Sequence, residues 1–202
     1  GVDAHVVQIN EGPTVTQYTL KPAEGVKISR ILALSNDLAL ALAAHPIRIE
    51  APIPGKSLVG IEVPNRSIAL VGLRNLLQNE IFQSSSAPLL FVLGRDVAGS
   101  PVYANLAKMP HLLVAGATGS GKSVMLHAMI TAFLYRNPPE FLRFLIIDPK
   151  RVELAVYSGI PHLLTPPITE AKKTIQALRW AVKEMERRYE ELARAGVRDI
   201  AG

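Results

Sequence analysis

Apolar and polar positions alternate through Val6-Val7-Gln8-Ile9 and Thr14-Val15-Thr16-Gln17-Tyr18-Thr19-Leu20. This is the period-two pattern of half-buried strands, and Asn10-Glu11-Gly12-Pro13 between them is turn chemistry, so a hairpin is predicted. Residues 26–44 are rich in Leu and Ala and free of Pro and Gly, which predicts helix over most of the stretch until Pro46 stops it. Ile47-Arg48-Ile49 and Leu58-Val59-Gly60-Ile61-Glu62-Val63 read as strands joined across Pro54-Gly55-Lys56-Ser57. A short helix is expected around 73–78. The small, uncharged run Gln83-Ser84-Ser85-Ser86-Ala87-Pro88 then reads as a Ser-rich linker.

Beyond it the rhythm changes to unbroken apolar runs. Residues 89–93 predict a buried strand that pairs with Val102-Tyr103 across the Gly99-Ser100-Pro101 turn. His111-Leu112-Leu113-Val114-Ala115 predicts a parallel strand covered on both faces, followed by a Gly-rich turn and a helix over 121–135. Phe144-Leu145-Ile146-Ile147 predicts another buried strand, and strand–loop–helix–strand is a βαβ unit. A last helix over 170–193 carries Ile175, Leu178, Val182, Met185, Tyr189 and Leu192 at spacings of three and four, one apolar stripe. The expected fold is therefore α/β: a small α+β domain at 1–87, then a P-loop domain with a parallel sheet at 88–202.

Composition narrows the chemistry. The chain has 202 residues, 49% hydrophobic and 19% charged, an ordinary globular balance with material for a core. It has no cysteine, which excludes disulfides, Cys-bound zinc, iron–sulfur clusters and thiol catalysis. No apolar run approaches the ~18 residues needed to span a bilayer, and no signal-peptide pattern opens the chain, so this stretch is expected to be soluble. Lys and Arg exceed Asp and Glu by 22 − 17 = 5. Residues 1–87 hold seven of each sign, and residues 88–202 hold 15 basic against 10 acidic, so the whole surplus lies in the second part. A polyanionic partner and simple solubilisation both fit that surplus.

The sharpest signal is Gly116-Ala117-Thr118-Gly119-Ser120-Gly121-Lys122-Ser123, which fits G-x-x-x-x-G-K-[ST]. Glycines let the backbone turn and bring successive N–H groups onto a phosphate, and the following helix adds its free amides and positive dipole end. Lys122 is expected on the β/γ-phosphates of ATP and Ser123 on Mg²⁺. A chance match in a chain of this length has odds of about 1 in 100, and the strand before and helix after raise the specificity further. Gly55-Lys56-Ser57 repeats the last three letters, but Glu50 stands where the first glycine is needed and no helix follows, so it reads as a hairpin turn.

Asp148, ending an apolar run, has the look of a Walker B metal carboxylate. Against that, Pro149-Lys150 follows it rather than a water-polarising Glu, and the run comes directly after the first helix, where a RecA-like sheet has its second strand rather than its third. Asp148 is thus weighed both as a Mg²⁺ ligand and as a strand-end residue near the site. Only 86 residues follow Gly116, and they supply one helix, one strand and one more helix. The expectation is that the chain stops partway through its catalytic domain and is inactive alone because the Walker B strand is missing.

The remaining candidates are weaker. His111, His127 and His162 share no metal-like spacing, and Met125 and Met129, four apart, are expected to pack on the sheet. Trp180 falls off the apolar stripe and faces either a neighbouring element or a neighbouring subunit. The basic residues from Lys172 to Arg198 are interleaved with Glu184, Glu186, Glu190 and Glu191, which fits a solvated face or, for some arginines, a subunit or DNA interface.

Together the segment from Ala107 to Ser123, Ile147-Asp148-Pro149-Lys150, Gly159-Ile160-Pro161-His162-Leu163-Leu164, Leu178-Arg179-Trp180 and Glu184-Met185-Glu186-Arg187-Arg188-Tyr189 resemble the FtsK/SpoIIIE DNA translocases. Gly12-Pro13, Leu34-Ser35-Asn36-Asp37-Leu38-Ala39 and Ile53-Pro54-Gly55-Lys56 extend the resemblance over nearly the whole chain. It implies the α domain at 1–87 and the first half of a RecA-like motor domain at 88–202. It also implies ATP and Mg²⁺ as cofactors, double-stranded DNA as partner and a homo-hexamer ring. The parent would be membrane-anchored at the division septum, with these residues on its cytoplasmic side, acting in chromosome segregation. A P-loop coupling ATPase of a secretion or conjugation system is the alternative.

Overall fold

A computed structural model describes residues 2–200, and the chain divides into two compact units, 1–133 and 134–202. In the first, β1 (Ala4–Glu11) and β2 (Val15–Pro22) form the expected hairpin, and β3 (Arg48–Glu50) and β4 (Val59–Pro64) complete an antiparallel sheet of order β1-β2-β4-β3. The pleat separates two kinds of row. Ile9, Tyr18, Ile61 and Ile49 lie opposite one another on one face, and Asn10, Gln17, Glu62 and Arg48 on the other. The polar row is internally linked: Asn10 Nδ2 donates to Gln17 Oε1 at 3.2 Å, and Arg48 stands 3.8 Å from the Glu62 carboxylate. Gly55-Lys56-Ser57 lies in the turn between β3 and β4, with Gly55 at φ +74° and no helix after it.

The long helix expected over 26–44 is instead two short ones, α1 (Ile28–Leu32) and α2 (Ser35–Ala41). The weak helix formers Ser35, Asn36 and Asp37 sit at the break, and α2 buries no residue that could hold one continuous rod against the sheet. Further on, α3 (Leu73–Leu77) is followed at once by α4 (Glu80–Ser84), whose first turn is capped by the Asn79 side chain accepting from Ile81 N. The Ser-rich run therefore begins inside a helix. Phe82 on α4 is fully buried and lies 5.7 Å from the Tyr103 ring, and the Tyr103 hydroxyl donates to the Leu76 carbonyl at 2.8 Å.

Those contacts seat α3 and α4 on the hairpin of β5 (Leu90–Arg95) and β6 (Pro101–Asn105), paired as expected. Its turn is tightly made: Asp96 Oδ1 accepts from Ala98 N and Ser100 N, and Asp96 N donates to Ser100 O. Phe91 of β5 is fully buried and meets Phe133 edge-on at 5.9 Å. Phe133 lies on α5 (Lys122–Arg136), the helix expected after the Gly-rich turn.

The expected strand at 111–115 carries no ladder among the described residues. Leu112 and Val114 line an open groove of about 400 Å³ with His111 and with Leu126 and Met129 of α5, while Leu113 is 90% exposed. A parallel strand becomes one only with neighbours on its edges, and none of the described residues supplies them.

In the second unit, residues 144–148 pair in parallel with 163 and 168 through two isolated bridges, Phe144 with Leu163 and Ile147 with Ile168. Phe144 N donates to His162 O at 2.7 Å and Asp148 N to Ile168 O at 2.8 Å. Pro166 and Pro167 lie between the bridges and have no N–H to give, so the ladder stays broken. The parallel pairing of an α/β chain is thus present locally in place of the continuous strand expected at 144–147. The last helix, α6 (Ala171–Ala195), ends on Gly196 at φ +70°. Among the described residues, no helix is long and apolar enough to cross a membrane.

Candidate functional site

Residues 116–121 form an exposed bend between the segment at 111–115 and the first turn of α5. Gly119 and Gly121 have φ of +79° and +94°, a region that costs an L side chain about 1–2 kcal/mol. Gly116 gives clearance: a Cβ there would lie 3.1 Å from Ser120 Cβ and closer still to the Ser120 hydroxyl oxygen, so the serine side chain would have to shift. Ser120 N donates to Ala117 O at 3.1 Å, which closes the bend, and Met125 N donates to Gly121 O at 2.9 Å, the first bond of the helix.

Lys122 reaches back over this bend. Its ammonium donates to the carbonyls of Gly116 at 2.7 Å and Ala117 at 2.9 Å. A lysine has three N–H bonds, so two brace the loop and one remains for an incoming anion. Ala117 and Thr118 contribute backbone to the bend, and Ser123 sits half-buried in the first helical turn. That turn contains no acidic residue, so nothing competes with an anion for the free amides and the dipole. The eight residues of the motif are therefore brought together in one exposed bend and the helical turn that follows it. A lysine ammonium, unpaired amides and a hydroxyl oxygen are the donor set that a triphosphate with Mg²⁺ uses.

Asp148 is differently employed. It is buried, and its two oxygens accept from backbone amides of its own loop: Oδ1 from Arg151 N at 3.2 Å and Oδ2 from Leu154 N at 3.1 Å. The Leu154 bond is the main reason its carboxyl is held below the ordinary range, with desolvation opposing and further amides adding to the effect. Arg151 sits at φ +59°, a left-handed conformation that the Asp148 bonds help to hold. Nothing in the motif announced this. An Asp followed by Pro does favour such a turn, and that was the signal available.

His162 is buried, with Nε2 2.8 Å from the Asn137 carbonyl just past the end of α5; a carbonyl only accepts, so this nitrogen donates. Trp180 lines a groove of about 320 Å³ with Leu145 and Leu164 and is 46% exposed. On α6, Glu184 accepts from Arg187 and Arg188, and Arg187 also pairs with Glu191, so these arginines are engaged along their own helix. Those hydrogen bonds draw the Glu184 carboxyl down to about 2. No group of three or more His, Asp or Glu with metal-ligand placement occurs among the described residues.

Residues 72–202 match the profile of the FtsK/SpoIIIE family, and residues 1–65 match that of the FtsK alpha domain. The chain is 55% identical over 200 residues to the DNA translocase FtsK of Caldanaerobacter subterraneus subsp. tengcongensis, covering 99% of this chain and 28% of that protein. It is 56% identical over 202 residues to the DNA translocase SpoIIIE of Bacillus subtilis, covering 100% and 26%. The chain thus spans about a quarter of the length of the curated relatives it matches. Among solved structures, the pCW3 conjugation coupling protein TcpA, determined as a monomer with ATPgS, superposes with a TM-score of 0.51 at 20% identity over 98% of this chain and 53% of that one.

Proposed function

The chain belongs to the FtsK/SpoIIIE family, and from that premise we propose that it is part of an ATP-driven motor that moves double-stranded DNA during chromosome segregation at cell division. The observation that carries the reading is the braced bend at 116–123, where one ammonium donor and the amides at the start of α5 are left for phosphate. Gly116, Ala117, Thr118, Gly119, Ser120 and Gly121 would wrap the triphosphate with backbone. Lys122 would orient and neutralise the β/γ-phosphates, and Ser123 would hold Mg²⁺. Mg²⁺ held there would supply charge neutralisation of the phosphates. Asp148, with both oxygens on its own loop, is better suited to shaping that loop than to holding the metal.

Residues 1–87 would serve as the ring-building domain and 88–202 as the beginning of the motor domain. The assembly would be a homo-hexamer around duplex DNA, in a parent protein anchored in the membrane at the septum with this part on the cytoplasmic side. Alone, residues 1–202 would not turn ATP over, since a water-activating carboxylate and a charge-stabilising group must come from elsewhere.

The test is ATP hydrolysis by the parent-length protein with and without duplex DNA. Stimulation by duplex DNA, absent in Lys122→Ala, supports the reading. Hydrolysis indifferent to DNA overturns it in favour of a coupling ATPase with a protein substrate.

A further inference from the structure

Two turns abut within the first unit. At Gly12, between β1 and β2, a Cβ would stand 2.8 Å from the Val97 carbonyl oxygen in the β5–β6 turn and 3.0 Å from the Val15 carbonyl oxygen. The glycine is there for clearance: its φ lies outside the left-handed range, and the atoms it makes room for are backbone. On the other side of the joint, Gly99 brings its Cβ position to 3.6 Å from Glu11 O.

Both partners are stiff. Gly12 N donates to Val15 O, Asn65 Nδ2 donates to Gly12 O at 2.8 Å, and Thr16 Oγ1 donates to Asn65 Oδ1 at 2.8 Å, so the first turn is fixed to β2 and to the end of β4. Asp96 fixes the second turn through four hydrogen bonds, two to its side chain and two to its backbone, and Arg95 Nη1 donates to Gly99 O at 2.6 Å. From that turn β6 runs through the 3₁₀ turn Leu106–Lys108 to the segment before the phosphate bend. Leu106 lines the same groove as Leu126 and Met129 of α5.

We infer that Gly12 is a positioning residue of the proposed motor: a backbone-to-backbone joint through which the four-stranded sheet sets the placement of the nucleotide-binding half. This rests on the reading above. If the sheet belongs to the ring and hydrolysis needs groups from a neighbouring subunit, the joint governs how well those groups reach the bound nucleotide. It does not govern how tightly the bend holds the nucleotide. A methyl at residue 12 must move the Val97 carbonyl from 2.8 Å to the 3.4 Å of ordinary contact, 3.4 − 2.8 = 0.6 Å. Misplacement on that scale costs a reaction about tenfold.

The experiment uses parent-length protein carrying Gly12→Ala, with Gly72→Ala as control, where a Cβ would meet only Asn75 Nδ2 at 3.9 Å. The expected result is a DNA-stimulated kcat about tenfold lower, with ATP affinity unchanged, while the Gly72→Ala control keeps the wild-type kcat and affinity. Unchanged kcat, or a matched loss of ATP affinity and kcat, overturns the inference. If Gly12→Ala does not fold, Asn65→Ala, which frees the Gly12 carbonyl without adding bulk, must show the same split of kcat from affinity or the inference fails. A wild-type protein that duplex DNA does not stimulate would refute the motor reading itself, a distinct outcome.

Discussion

Removing the Lys122 ammonium should weaken nucleotide binding far more than it weakens the fold. In Lys122→Ala two hydrogen bonds to the Gly116 and Ala117 carbonyls disappear. On so open a loop each is worth about 1 kcal/mol. The third N–H, aimed at the phosphates, is a charge-assisted bond of about 1.5–3 kcal/mol. Only this third bond is made to the ligand, so the loss is about 1.5–3 kcal/mol, roughly 10- to 150-fold in ATP affinity. Residues 116–121 are exposed and contribute nothing to the core around Phe82 and Phe91, so the melting temperature should hold to within about 2 °C. Titration calorimetry of ATP with Mg²⁺ on the parent-length protein, beside a thermal melt, measures both. Affinity within threefold of wild type would mean that the brace and the phosphate contact are not where the bend places them.

Acid should loosen α6 before it touches the phosphate bend. The Glu184 carboxyl is drawn from its ordinary 4.5 to about 2 by Arg187 and Arg188, so its stabilising bonds are intact above 4.5 and are lost as pH falls through 2. The far-ultraviolet helical signal should decline across that window, and Glu184→Gln should flatten the decline; an identical titration in the variant refutes the assignment. Asp148→Asn removes one acceptor from the 148–154 loop; Arg151 N keeps the Asp148 main-chain carbonyl, so the amide of Leu154 should exchange with deuterium about fivefold faster, the equivalent of roughly 1 kcal/mol. Unchanged exchange together with weakened Mg²⁺ binding would reassign Asp148 to the metal.

What could be seen in the sequence was whatever depends on near neighbours. Both hairpins, α5, α6 and the bend at 116–123 follow from periodicity, turn residues and a motif, all within about twenty residues. The misreadings share a different cause. α4 was hidden because Gln83-Ser84-Ser85-Ser86 has linker composition, whereas the Asn79 cap and the burial of Phe82 under Tyr103 decide the matter. Composition over 26–44 predicts helix through most of the stretch because propensity says nothing of whether a partner surface exists. The segments at 111–115 and 144–147 have strand composition, but parallel pairing is settled by residues far away in sequence, and at 144–147 by two prolines that interrupt it. The role of Asp148 turned on where its oxygens point, which spacing does not encode.

Helix α6 has a practical corollary. Its 25 residues make a rod about 37 Å long, and Ile175, Leu178, Val182, Met185 and Tyr189 leave an oily seam in contact with water along most of it. Purified by itself, this stretch of chain should light up hydrophobic dyes, stick to columns and scatter light as ammonium sulfate is added, while mild detergent keeps it clear. Handling conditions therefore belong among the variables of any binding measurement made on it.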